Sequence, residues 1–180
     1  IDIETIQEEG IRAVREVETV YKLVKKKNDE EVEVPDGLKG RIIPFSMVQQ
    51  MKFQSELQAI ANLQSRVEAI NGELDELRDS FTEEEMEAYC DSEKDNALDK
   101  KKITADAKPK ADVEPETKDK LKQMVALWNE QSKADKQSKA DKQALEEKTI
   151  EAIQNLTDEE VAQLLHMKWI DPICEGIDST

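Results

Sequence analysis

"AIANLQSRVEAINGELDELR", residues 59–78, sets the reading of the whole chain. Ile60, Leu63, Val67, Ile70, Leu74 and Leu77 follow one another at alternating steps of three and four residues. An α-helix turns once in about 3.6 residues, so this alternation lays six apolar side chains along one stripe, the a/d seam of a coiled coil. Asn71-Gly72 inside the stretch is a turn signal by composition. The seam keeps its register through the glycine, which costs a helix about 1 kcal/mol. One continuous helix is therefore predicted from a Ser46 cap to about Asp79. Its apolar stripe must be covered, either by a returning helix of the same chain or by a partner.

Composition agrees with a helical answer. Of 180 residues, 38% are charged, 37% are hydrophobic and 4% are aromatic, which suits long solvated helices better than a thick core. Five Gly and five Pro are too few for the turns of an all-β fold. A net charge of −16 repels phosphates, so the whole chain cannot be steered onto nucleic acid. The charge is uneven: residues 98–148 carry 13 basic and 11 acidic side chains, against 6 and 14 over residues 36–97. A local contact through Lys133, Lys136, Lys139 and Lys142 is the weakest reading left open. Cys90 and Cys174 lie far apart without metal-site spacing, as expected in a reducing cytosol. There is no run of membrane-spanning length and no signal-peptide pattern. The chain starts with Ile1, as a fragment of a longer protein would.

Four segments are predicted. In the first, 1–45, Ile3, Ile6, Gly10, Ala13, Val17, Val20 and Val24 recur at three- and four-residue steps and predict a helix over residues 1–27. Pro35-Asp36-Gly37, between two β-branched stretches, then suggests a short hairpin. The second segment, 46–103, holds the heptad helix and a shorter one opened by the T-x-x-E capping box of Thr82 and Glu85. Residues 104–117 read as a charged, proline-containing linker. The last segment, 118–180, returns as a long helix with Leu121, Met124, Val125, Leu127 and Trp128 clustered near its start. Within it "QSKADKQSKADK" is a tandem hexapeptide. Six is not a helical period, so Ala134 and Ala140 fall on different faces and no apolar stripe runs through the repeat. An exposed helical stretch supported by an Asp135–Lys139 pair is expected, whose shortening by one copy would leave stability almost unchanged. A second capping box, Thr157 with Glu160, opens a docking helix that Asp171-Pro172 ends. The fold class is thus mainly α: a long antiparallel, coiled-coil-like helical hairpin with short flanking helices and a small β-hairpin.

The residues offer no catalytic set. His166 is the single histidine and sits beside Leu165 and Met167, where a packing or surface role is commoner than catalysis. There is no H-x-x-x-H, C-x-x-C or EF-hand loop to hold a metal, and the glycines are scattered singly. The acidic run "TEEEMEAY" is what a helix start favours. Interaction remains. The candidate packing or interface residues are Ile60, Leu63, Val67, Ile70, Leu74 and Leu77 of the seam, Trp128, and Leu164, Leu165, Trp169, Ile170 and Ile173 of the apolar knot "LLHMKWIDPI".

Three stretches together resemble one family. "GRIIPFSMVQQMKF" (40–53), the heptad helix after it, and "LTDEEVAQLLHMKWIDPI" (156–173) are similar to the C-terminal part of type I restriction-modification M subunits, with the Lys168-Trp169 pair carrying much of the likeness. The likeness spans roughly residues 38–177. The resemblance implies a parent protein that transfers a methyl group from S-adenosylmethionine to adenine N6 in DNA. It also implies partners: a specificity (S) subunit packed against these helices, a restriction subunit, and DNA reached through the complex. The setting would be the cytoplasm of a bacterium or archaeon. The family's Asn-Pro-Pro-aromatic motif is met here only by Asp171-Pro172-Ile173, and its glycine-containing cofactor motif is missing, so no catalytic or cofactor-binding residue is carried over. The competing expectation, from the residues alone, is a freestanding coiled-coil scaffold or adaptor.

Overall fold

The computed structural model of the protein describes residues 2–25, 31–91 and 97–172. In chain order it contains α1 (Asp2–Glu9), a 3-10 turn (Ile11–Arg15), β1 (Val17–Lys25), β2 (Glu31–Gly40), α2 (Phe45–Lys52), α3 (Gln54–Asp79), α4 (Glu83–Tyr89), β3 (Cys90–Asp91), β4 (Ala97–Leu98), α5 (Lys100–Asp106), α6 (Pro115–Gln154) and α7 (Asp158–Trp169). The fold is mainly α, with two long helices and small two-stranded antiparallel pairings. It divides into two compact units, one of Ile1–Gln58 with Lys142–Thr180 and the other of Ala59–Asp141. These units cut across the four segments read from the sequence, because α3 and α6 each contribute to both.

The first unit is built on Ala13, Val14, Ile42, Ile43, Val48, Ile153, Leu156, Val161 and Leu164, all buried. The helix predicted over residues 1–27 is not formed. α1 stops before Gly10, whose φ of 78° is one that L side chains rarely adopt, and the chain passes through a 3-10 turn into β1. The helical spacing of Val17, Val20 and Val24 misleads here because "VETVYKLVK" is rich in β-branched and aromatic residues and has a strand to pair with. That strand is β2, in antiparallel register from Val17 opposite Gly40 to Lys25 opposite Glu31. The hairpin thus exists, with a different partner from the one expected. Pro35-Asp36-Gly37 lies inside β2 as an irregularity: Val20 faces Gly37, Tyr21 faces Pro35, and Asp36 is the extra residue. Gly37 takes φ 131° there.

The predicted continuous helix over 46–79 is also broken. Phe53, at φ −129° and ψ 38°, separates α2 from α3, and Ser46 lies inside α2, whose N-cap is Pro44. Beyond the break α3 runs unbroken through Gly72.

In the second unit Ile70 and Leu74 of α3 meet Phe81 and Tyr89 around α4, Ile103 of α5, and Leu121 and Met124 of α6. The capping box predicted at Thr82 and Glu85 is present, as is that at Thr157 and Glu160 in the first unit. The predicted linker is shorter than 104–117, since Asp99 caps α5 through Asp106 and Pro115 opens α6, where its missing N–H costs nothing. Within this unit α6 runs antiparallel to α3: Lys120 Nζ donates to Ser80 O (2.9 Å), and Gln131 Nε2 to Asn71 Oδ1 (2.7 Å).

The tandem repeat is helical and, against expectation, partly packed. Ala134 of the first copy and Ser138 of the second are buried, whereas Ser132 and Ala140 are exposed. Six residues turn a helix by about 240° beyond full turns, so each copy offers a different small residue to the buried face. Removing one copy would take out buried Ser138 and shift the phase of α6 beyond it by about 240°. Deletion of residues 137–142 should therefore lower stability by about 2 kcal/mol or more. An unchanged thermal midpoint would show that the buried face of α6 can slip.

Candidate interaction site

Two of the three stretches that carry the likeness meet in the first unit, and the heptad seam lies in the second. Gly40 ends β2 so close to the next turn that an added Cβ would lie 1.9 Å from Ile43 O and 3.3 Å from Ile153 Cδ1. Only glycine lets the strand turn into α2 while Ile42 and Ile43 enter the core. Across this turn lies Lys168 of α7, whose Nζ donates to Ile42 O and to Asp2 Oδ2, both at 2.6 Å. Arg41 binds Glu9 through two hydrogen bonds of 2.7 and 2.8 Å and reaches Glu16 at 2.5 Å. Arg15 donates to Leu156 O (2.7 Å) and pairs with Asp158 (2.5 Å), fixing the corner between α6 and α7. Gln49 Nε2 reaches Thr149 Oγ1 (3.1 Å), and buried Thr149 in turn donates to Leu145 O (2.6 Å).

The second unit has its own polar anchor. Lys120 Nζ lies 3.0 Å from Glu85 Oε2 and 5.9 Å from the Phe81 ring centre. Burial pushes the Glu85 carboxyl up, but the Thr82 backbone N–H, Thr117 and Lys120 together outweigh it and hold the group below its usual range. Tyr89, raised by burial and by Asp106, keeps its proton and donates to Asp106 Oδ2 (3.2 Å). Burial also raises the Cys90 thiol, which disfavours the reactive thiolate.

Beside the α3–α6 pair of this unit is a groove of about 550 Å³. Leu77, Ala126 and Leu127 line it, and Glu73, Glu76 and Glu130 lie along it. Arg66 clasps two of these carboxylates, Glu73 at 2.5 Å and Glu130 at 2.7 and 3.0 Å. Hydrogen bonding to Arg66 lowers the Glu130 carboxyl.

Of the seam residues, Ile60, Ile70 and Leu74 are buried and Leu63, Val67 and Leu77 half-buried. Trp128 packs at the margin of the second core with Lys100 Nζ 5.2 Å from its ring centre. Leu164 is fully buried and Leu165 packs against the first core, so the apolar knot docks on its own unit. Trp169 is half-buried beneath Lys168, and Ile170 is 44% exposed. Ile173 lies outside the described residues. Sequence reasoning passed over Gly40, Arg15, Arg41, Thr149 and the Lys120–Glu85 pair. Only the first had a signal, a glycine shortly before the β-branched pair Ile42-Ile43 and Pro44.

Among the described residues no group of three or more His, Cys, Asp or Glu could hold a metal ion, and no helix is long and apolar enough to cross a membrane. The space beside Gly40, between strand and helix, is filled by Ile43 and Ile153.

Two substitutions test the anchors. Gly40→Ala should destabilise by about 1–3 kcal/mol, the cost of forcing atoms into a packed turn. A wild-type urea midpoint would mean that the turn relaxes freely. Lys120→Met should cost a similar amount, about 1–3 kcal/mol at neutral pH, by leaving Glu85 short of a partner. It should also flatten the loss of stability on acidification. Glu85 is depressed when folded, so its contribution is present above the unfolded value near 4.5 and fades as pH falls below it. Midpoints that respond to acid identically in both proteins would show that Lys120 does not set the Glu85 charge.

Comparison with known protein-family models, with curated proteins and with solved structures gives no match for this chain.

Proposed function

We propose that the chain is the C-terminal helical assembly region of a type I restriction-modification M subunit, whose intact form methylates adenine N6 in DNA with S-adenosylmethionine. One observation supports this reading. The two motif-bearing stretches, Gly40–Phe53 and Leu156–Pro172, interlock in one core, with Lys168 bonded to Ile42 O across 126 residues of sequence. The residues that carry the likeness are here also residues that hold a fold together.

On this reading the chain performs no methyl transfer itself. It joins the methylating part of its parent to the S subunit, with the restriction subunit and DNA reached through the complex, in the cytoplasm of a bacterium or archaeon. Trp169 and Ile170, at the end of α7, are partly uncovered apolar side chains of the first unit, as Ile3 and Ile11 also are, and they are the contact we assign to assembly.

Sedimentation equilibrium of the chain, alone and with the S subunit encoded beside it, tests the reading. A defined complex with S is expected, and Trp169→Ala should weaken it about tenfold, since a central tryptophan commonly contributes more than 1 kcal/mol to an interface. A homo-oligomer indifferent to S would overturn the proposal in favour of a freestanding coiled-coil scaffold.

A further inference from the structure

The groove on the second unit has the form of an unfilled helix seat. α3 supplies Glu73, Glu76 and Leu77 over little more than a turn, and α6 supplies Ala126, Leu127 and Glu130 over the same span. On each helix the lining recurs at steps of three or four residues, the spacing at which an α-helix meets its neighbours in a coiled coil. Ile70, Leu74, Leu121 and Met124 are buried in the core with α4 and α5, whereas Leu77 and Leu127 are partly uncovered and line the groove. A third helix laid along the groove would cover this apolar floor.

Charge says what kind of helix. Three carboxylates border the floor, and one guanidinium, that of Arg66, is spent on two of them. A surplus of negative charge therefore flanks an apolar strip. An acidic helix would be repelled on both sides, and a neutral one would leave Glu76 to be desolvated without compensation.

We propose that this groove is a docking site for an amphipathic helix of another protein, with apolar residues at i, i+3 or i+4 and i+7 flanked by Lys or Arg. The site belongs to the second unit alone and does not depend on the family reading.

The probes are synthetic helical peptides of about three heptads. One has leucine at the seam and lysine at the flanks. A second replaces the flanking lysines by glutamate, and a third replaces the leucines by serine. Binding to the full chain is measured by fluorescence anisotropy at near-physiological salt. The leucine–lysine peptide is expected to bind at least about tenfold more tightly than either control, as charge-matched grooves discriminate. Ala126→Glu, at an exposed position of the floor, should abolish that preference without unfolding the chain, and Glu76→Lys should weaken it. Equal binding of the serine peptide would reduce the effect to diffuse attraction by an acidic protein and overturn the site. Equal binding of the glutamate peptide would overturn the charge assignment. A dimer of the chain dispersed by Ala126→Glu would mean that a second copy occupies the groove. No S subunit enters this experiment, so this proposal and the assembly reading can fail separately.

Discussion

The first unit depends on one ammonium group. Lys168 comes from the last helix described, Asp2 from the first, and Ile42 from the turn between β2 and α2. The Ile42 carbonyl belongs to a residue buried in the core, and a buried acceptor left unpaired costs about 1–3 kcal/mol. Lys168 satisfies it and is itself neutralised by Asp2, whose carboxyl is lowered first by that hydrogen bond. The long loops this closes add little penalty, because loop entropy grows only logarithmically with length. Gly40 is the complementary condition. With any side chain there, the Ile42 carbonyl could not sit where Lys168 reaches it unless the turn moved.

The two cores show how so polar a chain folds at all. Each is a short set of large side chains at one place, and away from its core the second unit holds α3 and α6 together by small residues and polar ties. Ala134 and Ser138 on α6 are buried but bring little apolar area, on the order of 1 kcal/mol for the alanine methyl. The Arg66–Glu130 and Gln131–Asn71 ties are exposed or half-exposed, and such contacts are each worth at most about 1 kcal/mol. Neither contribution explains stability. What they supply is register: a slip of α6 by one residue would separate every one of these pairs at once.

Much of this could be read from the sequence, and the misses have physical causes. The heptad seam was legible in its period: α3 follows it, burying Ile60, Ile70 and Leu74 and leaving Leu63, Val67 and Leu77 half-buried. Both capping boxes were legible because the motif is local and complete in four residues. The β1–β2 ribbon was missed because Val17, Val20 and Val24 fit a helical period by accident, while the deciding partner strand lay further along the chain. That ribbon leaves Tyr21 and Leu23 largely exposed and relies on cross-strand ion pairs of Lys22 with Asp36, Lys25 with Glu31 and Lys39 with Glu18. The break at Phe53 had no glycine or proline to announce it. The packing of the repeat was invisible because a small residue on a buried face gives no hydropathy signal. In the interaction site, Lys168 was singled out by likeness, but its bonds to Asp2 and Ile42 are properties of the fold.

Acidification sets two effects against each other in this molecule. Hydrogen bonds to cations hold Glu9, Glu130 and Glu160 below their usual range, and Ser55 and Lys148 bring Glu56 down to about 2. Depressed groups stabilise the fold above their unfolded values near 4.5, and that contribution fades as pH falls through the folded values. Protonation also relieves the mutual repulsion behind a net charge of −16, which favours the compact state. The surface pairs are screened and individually weak, so relief of repulsion can offset much of their loss. Glu85 is different. It is 8% exposed, anchored at once by a backbone N–H and by Lys120, and its protonation uncouples the start of α4 from α6. The second unit, not the more heavily ion-paired first, is therefore where acid should open this fold.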